Sequence, residues 1–240
     1  MTTRIHIHTG GPYHPSAAQA KVIAKHLGEE FSVAARDGTR VFDELDDCDL
    51  FVAAGMHWTG MDALVGKPGC WPKGVTPTPY STPTANQRAA FREYLSSGRP
   101  VLNFHGGIAS YDDWPEYGRL LGVQWDWKVS NHGARREWTI APVETHHPVM
   151  AGITDYQIVD EIYGNLQFTP ELPFEVHATA TVEHMRFPMV ITAEGGRIPG
   201  AGRMVYLANG HDEVSLECGT FLKLIINSIH WLTGRMNESK

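Results

Sequence analysis

The sequence predicts an α/β fold: a mostly parallel central sheet flanked by helices, with an added antiparallel β portion in the second half. Three observations carry this. Strand-like and helical runs alternate through the first half, the pattern of a parallel sheet with crossover helices. Residues 49–55 read as a continuous apolar run, as expected for a strand covered on both faces, and 101–104 as a second buried strand. After Val123 the texture changes to shorter strand-like pieces. A length of 240 residues, with 42% hydrophobic and 20% charged residues, fits one globular domain over 1–240.

The formal net charge of −7, without any Lys/Arg cluster, offers no footprint for nucleic acid or an anionic membrane. A neutral or polar small molecule is the better-matched partner. The N-terminus has no apolar signal core and no stretch reaches bilayer-spanning length, so the expected location is cytoplasmic. Cys48, Cys70 and Cys218 are odd in number and widely spaced, which suits neither a disulfide framework nor a cysteine-based zinc site. The 13 histidines stand out, and those at predicted strand ends carry the most weight.

Residues 4–8 alternate and run into Thr-Gly-Gly-Pro, a first strand ending in a glycine-rich turn, with His6 and His8 on one face. Ser16 then caps a helix over 17–27, which Gly28 ends. His14 falls in the strand-to-helix loop, where such folds place binding groups; a loop-capping or surface role is the alternative. A second strand spans 31–36, a short turn or helix 42–45, and the third strand stops at Gly55-Met-His57-Trp58. His57 is thereby a substrate-binding candidate, with a structural role equally open.

Residues 58–84 are rich in Gly, Pro and Thr and lack periodicity, the signature of a lid or surface excursion. Trp58, Trp71 and Tyr80 offer either stacking surfaces to a sugar or local packing. A helix over 86–97 follows, with Ala89, Ala90, Tyr94 and Leu95 toward the sheet and Gly98 at its end. The fourth strand, 101–104, stops abruptly at His105-Gly-Gly, and two glycines there allow positive φ and close chain approach. Strand ends of this kind are where open α/β sheets bind ligands. Ser110 is placed to cap the next helix, which stops at Leu121-Gly122.

In the second half, strand-like pieces cover 138–143, 176–182 and 189–192. Asp160 and Glu161 sit between apolar residues, so each is either paired with a buried base or working. A last strand, 204–208, runs into Asn209-Gly-His211-Asp212-Glu213, and an amphipathic helix over 216–232 closes the chain.

The layout resembles the class I glutamine amidotransferase-like fold, a flavodoxin-like three-layer sandwich. Gly98-Arg-Pro-Val-Leu-Asn-Phe-His105 puts His105 where that fold carries its nucleophilic cysteine, and His211-Asp-Glu213 matches the late motif. Without the cysteine, glutaminase chemistry lacks its thioester. A closer resemblance is to the trehalose-utilisation (ThuA-like) family. It rests on Gly10-Gly-Pro-Tyr-His14, His105-Gly-Gly-Ile-Ala-Ser110, Asp113-Trp-Pro-Glu-Tyr117, His147-Pro148, Asp160-Glu-Ile-Tyr163 and Tyr206-Leu-Ala-Asn-Gly-His211-Asp212, in that order.

The resemblance implies a cytoplasmic enzyme of carbohydrate catabolism, a hydrolase, lyase or isomerase acting on a sugar, keto-sugar or glycoside. Its catalytic residues would be His105, Glu161, His211 and Asp160, and its substrate-binding residues His14, His57, Tyr163 and Asp212. Two chemistries are open. In one, His105, Glu161 and His211 hold a divalent Zn, Mn or Fe ion; in the other, histidine and Glu161 exchange protons directly. Asp212 or Glu213 would orient His211, or simply start the last helix. A serine hydrolase using Ser110 with His211 is a further option, and a non-catalytic sugar-binding or regulatory protein is the rival from another class. No nucleotide cofactor is expected. The expected partners are a small-molecule carbohydrate and, at most, further copies of this chain.

Overall fold

The alternating pattern of the first half builds the parallel part of one large sheet. In the computed structural model, which describes residues 2–170 and 172–236, the first half contains β1 (Thr3–Thr9), α1 (Ser16–His26), β2 (Phe31–Asp37), β3 (Leu50–Ala53), α2 (Ala85–Ser96), β4 (Val101–Phe104) and α3 (Pro115–Leu121). The second half supplies β5 (Val123–Gln124), β6 (Asn131–His132), β7 (Arg136–Pro142), β8 (Tyr156–Asp160), β9 (Tyr163–Gly164), β10 (Gln167–Phe168), β11 (Glu175–Val182), β12 (Met185–Ala193), β13 (Met204–Leu207), α4 (Glu213–Glu217) and α5 (Gly219–Leu232).

Among the described residues, nine strands form one sheet in the order β2-β1-β3-β4-β13-β12-β11-β7-β8. The ladders from β2 to β13 are parallel and those from β13 to β8 antiparallel. The antiparallel portion thus continues the same sheet. Two small antiparallel pairs, β5 with β10 and β6 with β9, stand apart from it.

Period-two alternation divides the core between the two faces. Ile5, Ile7, Leu50, Val52, Leu102 and Phe104 join Ile23 of α1 and Leu224, Ile225 and Ile229 of α5 on one side. Phe51, Ala53 and Val101 join Phe91, Tyr94 and Leu95 of α2 and Tyr117, Leu120 and Leu121 of α3 on the other. No helix among the described residues is long and apolar enough to cross a membrane.

Several local expectations change. Ser16 is the first residue of α1 instead of its cap, and its Oγ accepts from the Gly10 amide at 2.9 Å. Thr84 caps α2 through a reciprocal pair with Gln87, and α2 buries Phe91 while Ala89 faces solvent. Ser110 caps no helix, because Pro115 sets the start of α3; its hydroxyl donates to the Gly55 carbonyl at 2.7 Å and accepts from the His57 amide at 2.9 Å. Trp58 is buried with Met61 and Ala109, and Trp71 and Tyr80 pack against that cluster.

The His147-Pro148 motif lies at the end of the sheet opposite His105. The His147 ring sits 4.3 Å from that of His177 and 4.6 Å from that of Trp231. His177 is buried on β11, and Thr192 (2.7 Å) and Thr145 (3.2 Å) engage its two ring nitrogens. Burial, then the neighbouring His147, hold its pKa down to about 4. The unfolded chain, with histidine at about 6.5, therefore binds the proton first. The His177 contribution to stability is complete above about pH 6.5 and is lost as pH falls toward 4. Urea midpoints should fall by the equivalent of roughly 1–3 kcal/mol over that interval, and His177→Gln should flatten the decline. An unchanged slope in the variant would remove His177 as its source.

Candidate functional site

β4 ends where the chain makes its least ordinary turn. His105 itself takes φ +40°, a left-handed conformation that few residues other than glycine adopt. The positive φ expected of the glycine pair falls on the histidine instead. The glycines serve close approach: a Cβ at Gly106 would run into the His14 ring, and one at Gly107 into the Ala53 backbone.

This geometry fixes the His105 ring. Its Nδ1 lies 2.6 Å from the Ala208 carbonyl, which can only accept, so Nδ1 carries the proton. Nε2 is left as an acceptor, and the Tyr163 hydroxyl donates to it at 2.8 Å. The side chain is 1% exposed, and burial pushes its pKa down to about 3. His105 is a neutral imidazole with a defined lone pair.

His14, from the loop after β1, stands edge-on to His105 with ring centroids 4.8 Å apart, and to His211 at 5.0 Å. Burial, reinforced by His105, His211 and His132, holds its pKa well below the usual value. Glu161 follows β8. Its Oε1 lies 3.2 Å from His132 Nδ1 and 3.6 Å from His211 Nε2, and its Oε2 lies 3.8 Å from His105 Nε2. Burial raises its pKa, with the His211 and His132 imidazoles opposing.

The four expected catalytic residues thus come together, but Asp160 takes a supporting place. It is fully buried, and its oxygens accept from the backbone amides of Glu161 (2.7 Å), Gly210 (2.7 Å) and His211 (3.4 Å). Asp212 caps α4 through the Val214 and Ser215 amides and pairs with Arg135 at 2.9 Å. The same oxygen lies 3.5 Å from His211 Nδ1, so Asp212 bears on that imidazole as well. His57 is turned away: its Nε2–H donates to the Thr9 carbonyl at 3.0 Å, and its ring packs beside His8 and Tyr111. With its hydroxyl already committed on both sides, Ser110 is unsuited to act as a nucleophile.

Above these groups lies a cavity of about 210 Å³. His14, Glu161, Tyr163 and His211 line its polar side, and Tyr13, Trp125 and Trp127 its aromatic side. Trp127 stacks on Trp58 with centroids 4.7 Å apart, which ties the aromatic wall to the long 58–84 segment. Sequence reading missed Trp125, Trp127 and His132. The Trp125-Asp-Trp127 spacing was the available signal, in a stretch without periodicity.

The donor atoms of His14, His105 and Glu161 all lie within 4.8 Å of one another. Two neutral imidazoles and a carboxylate suit Zn, Mn or Fe(II) and leave positions open. The expected set had His211 in the place that His14 takes; His211 stands beside Glu161, outside that grouping.

Asp160→Asn should show what the buried carboxylate holds. The amide presents one acceptor oxygen in place of two, leaving either Glu161 or the Gly210–His211 turn without its acceptor. A stability loss of about 1–3 kcal/mol in urea unfolding is expected, with amide NMR shifts centred on Glu161, Gly210 and His211. Unchanged shifts at all three would refute the assignment.

The sequence profile of the ThuA family, described as trehalose utilisation, matches residues 4–232. Comparison with curated proteins returns no match. Among solved structures, a ThuA-like protein from Parabacteroides merdae superposes with a TM-score of 0.73 at 17% identity, covering 100% of this chain and 93% of that one. One from Bacteroides uniformis gives 0.68 at 17% identity, with 96% and 91% covered. A cytoplasmic protein of Salmonella typhimurium gives 0.57 at 13% identity, with 95% and 98% covered. At these identities the structures show a shared fold, and the profile match over nearly the whole length decides the family. The chain belongs to the ThuA family, on a glutamine amidotransferase-like α/β fold.

Proposed function

We propose that the chain is a cytoplasmic enzyme of carbohydrate metabolism that works on a sugar, keto-sugar or glycoside held in the aromatic cleft, without a covalent nucleophile. The observation that carries the reading is the convergence of His14, His105 and Glu161 beneath Trp125 and Trp127. The apolar face of a pyranose would stack on the tryptophans, and its hydroxyls and carbonyl or glycosidic oxygen would face the histidines and Glu161. At the place of the amidotransferase nucleophile stands an imidazole with no route to a thioester.

His14, His105 and Glu161 would hold a divalent ion, which supplies Lewis-acid polarisation of a sugar oxygen or water. Buried and neutral, both imidazoles offer lone pairs without first losing a proton. His211, 3.6 Å from Glu161, is the group positioned to exchange protons with substrate. One observation favours a second, metal-free version: Tyr163 already donates to His105 Nε2, the nitrogen that ligation would use. In that version Glu161, its pKa raised by burial, and His211 share the acid and base roles.

Elemental analysis and turnover of keto-trehalose by the purified protein test this. Bound metal near one equivalent, lost together in His14→Ala and His105→Ala, supports the ligand set; turnover without metal supports the second version. In either, Glu161→Gln should lower kcat by ~10²–10⁴-fold. Sugar binding with neither metal nor turnover would replace the enzyme with a binding protein.

A further inference from the structure

One hydroxyl stands on the atom that a cation would need. The Tyr163 O–H donates at 2.8 Å to Nε2 of His105, whose Nδ1 proton is committed to the Ala208 carbonyl. A neutral imidazole has one acceptor nitrogen, and a zinc ion sits about 2.0–2.1 Å from the nitrogen it takes. Hydroxyl and cation therefore exclude each other at Nε2. The other two groups of the set carry no such cap. His14 Nδ1 has no hydrogen-bond partner among the described residues, and the ring nitrogens beside the Glu161 carboxylate lie 3.2, 3.6 and 3.8 Å away.

The backbone decides which partner yields. His105 is held by its φ +40° turn and by the Ala208 bond behind it. Tyr163 belongs to β9, a two-residue strand whose ladder to β6 lies outside the main sheet, and its side chain lines the aromatic cavity. Its ring is 4.3 Å from that of His105 and 4.9 Å from that of Trp125. A turn about its side-chain bonds would carry the hydroxyl off His105 and into the cavity.

We infer that Tyr163 gates the cation site: its hydroxyl caps His105 Nε2 in the cation-free state, and turns into the cleft as a hydrogen-bond donor to substrate when a divalent cation takes that nitrogen. The inference rests on the cation-loaded version of the proposed function and adds a residue to it. Loading is then an exchange. The cation gives up part of its affinity to displace one hydrogen bond, and the cleft gains a donor that was engaged elsewhere. The phenol keeps its proton throughout, donating to a ring nitrogen before the exchange and to a substrate oxygen after it. In the cation-free state the cap also satisfies a buried acceptor that would otherwise be unpaired. The bond that favours the metal-free version is, on this reading, the resting state of the loaded one.

Zinc titration of the full chain, by calorimetry and chelator competition, tests the gate. Removing the hydroxyl in Tyr163→Phe should tighten zinc binding about 3–10-fold, the scale of one hydrogen bond between neutral groups. Tyr163→Leu, which also lacks the hydroxyl, should move the affinity in the same direction, with thermal unfolding as the check on integrity. Loss of a merely structural contact would weaken binding or leave it alone. Before zinc is added, the ¹⁵N resonance of His105 Nε2 in Tyr163→Phe should move toward that of an unbonded ring nitrogen. An unmoved resonance, or zinc affinity unchanged in both variants, overturns the gate and leaves the His14, His105 and Glu161 set standing. Weaker binding in Tyr163→Phe makes the phenol a ligand and overturns the gate as well. If neither wild type nor Tyr163→Phe takes up zinc, the cation-loaded version falls, and this inference with it.

Discussion

One buried carboxylate joins the two halves of this molecule. Asp160 ends β8, the outermost antiparallel strand, yet it accepts the amides of Gly210 and His211, which follow β13 in the middle of the sheet. The antiparallel half must therefore fold back, with α5 packed against β4, β13 and β8. Burial penalises the charge and raises the pKa of Asp160, while the Gly210 and Glu161 amides lead the groups that pull it down. An isolated buried carboxylate would be untenable, and three backbone donors make this one tolerable. The same contacts place Glu161 and His211 side by side in one cleft, 3.6 Å apart.

His105 is the second constraint, and its cost is conformational. A non-glycine residue at φ +40° gives up of order 1–3 kcal/mol. The ring's bonds to Ala208 and Tyr163 compensate, and both depend on the turn having that shape. The strained position holds a neutral, oriented imidazole, so backbone strain and side-chain tautomer are set by the same turn.

Much of this was legible in the sequence, and the failures have physical causes. Apolar runs and glycine-terminated strands located β1, β3, β4 and β13, and the fragments around His105, Glu161 and His211 located three sides of the cleft. His57 carried the same local signal as His105, a histidine closing an apolar strand. The difference is tertiary: the Thr9 carbonyl and the His8–Tyr111 stack turn its ring into the protein. Ser110 read as a helix cap because its neighbours are acidic, but Pro115 delays the helix and frees the hydroxyl to bridge Gly55 and His57. Trp125, Trp127 and His132 lie in short, irregular pieces where position is decided by the groups they meet and by no repeating pattern.

The ionisation states of the cluster favour a particular order of events. As folded, His14 and His105 are uncharged because burial disfavours the imidazolium, and burial biases Glu161 in the same direction, toward its neutral form. All three shifts suppress charge in a closed space, so the fold can keep three potential ligands within 4.8 Å without mutual repulsion. A cation entering such a set would meet two donors already deprotonated, and its competition with protons would narrow to Glu161. His132 and His211 both flank that carboxylate, so they stand where a proton leaving it would go. Any proton released by Glu161 would thereby stay on the His132–His211 side of the cleft, with His105 and Asp160 held by hydrogen bonds behind it.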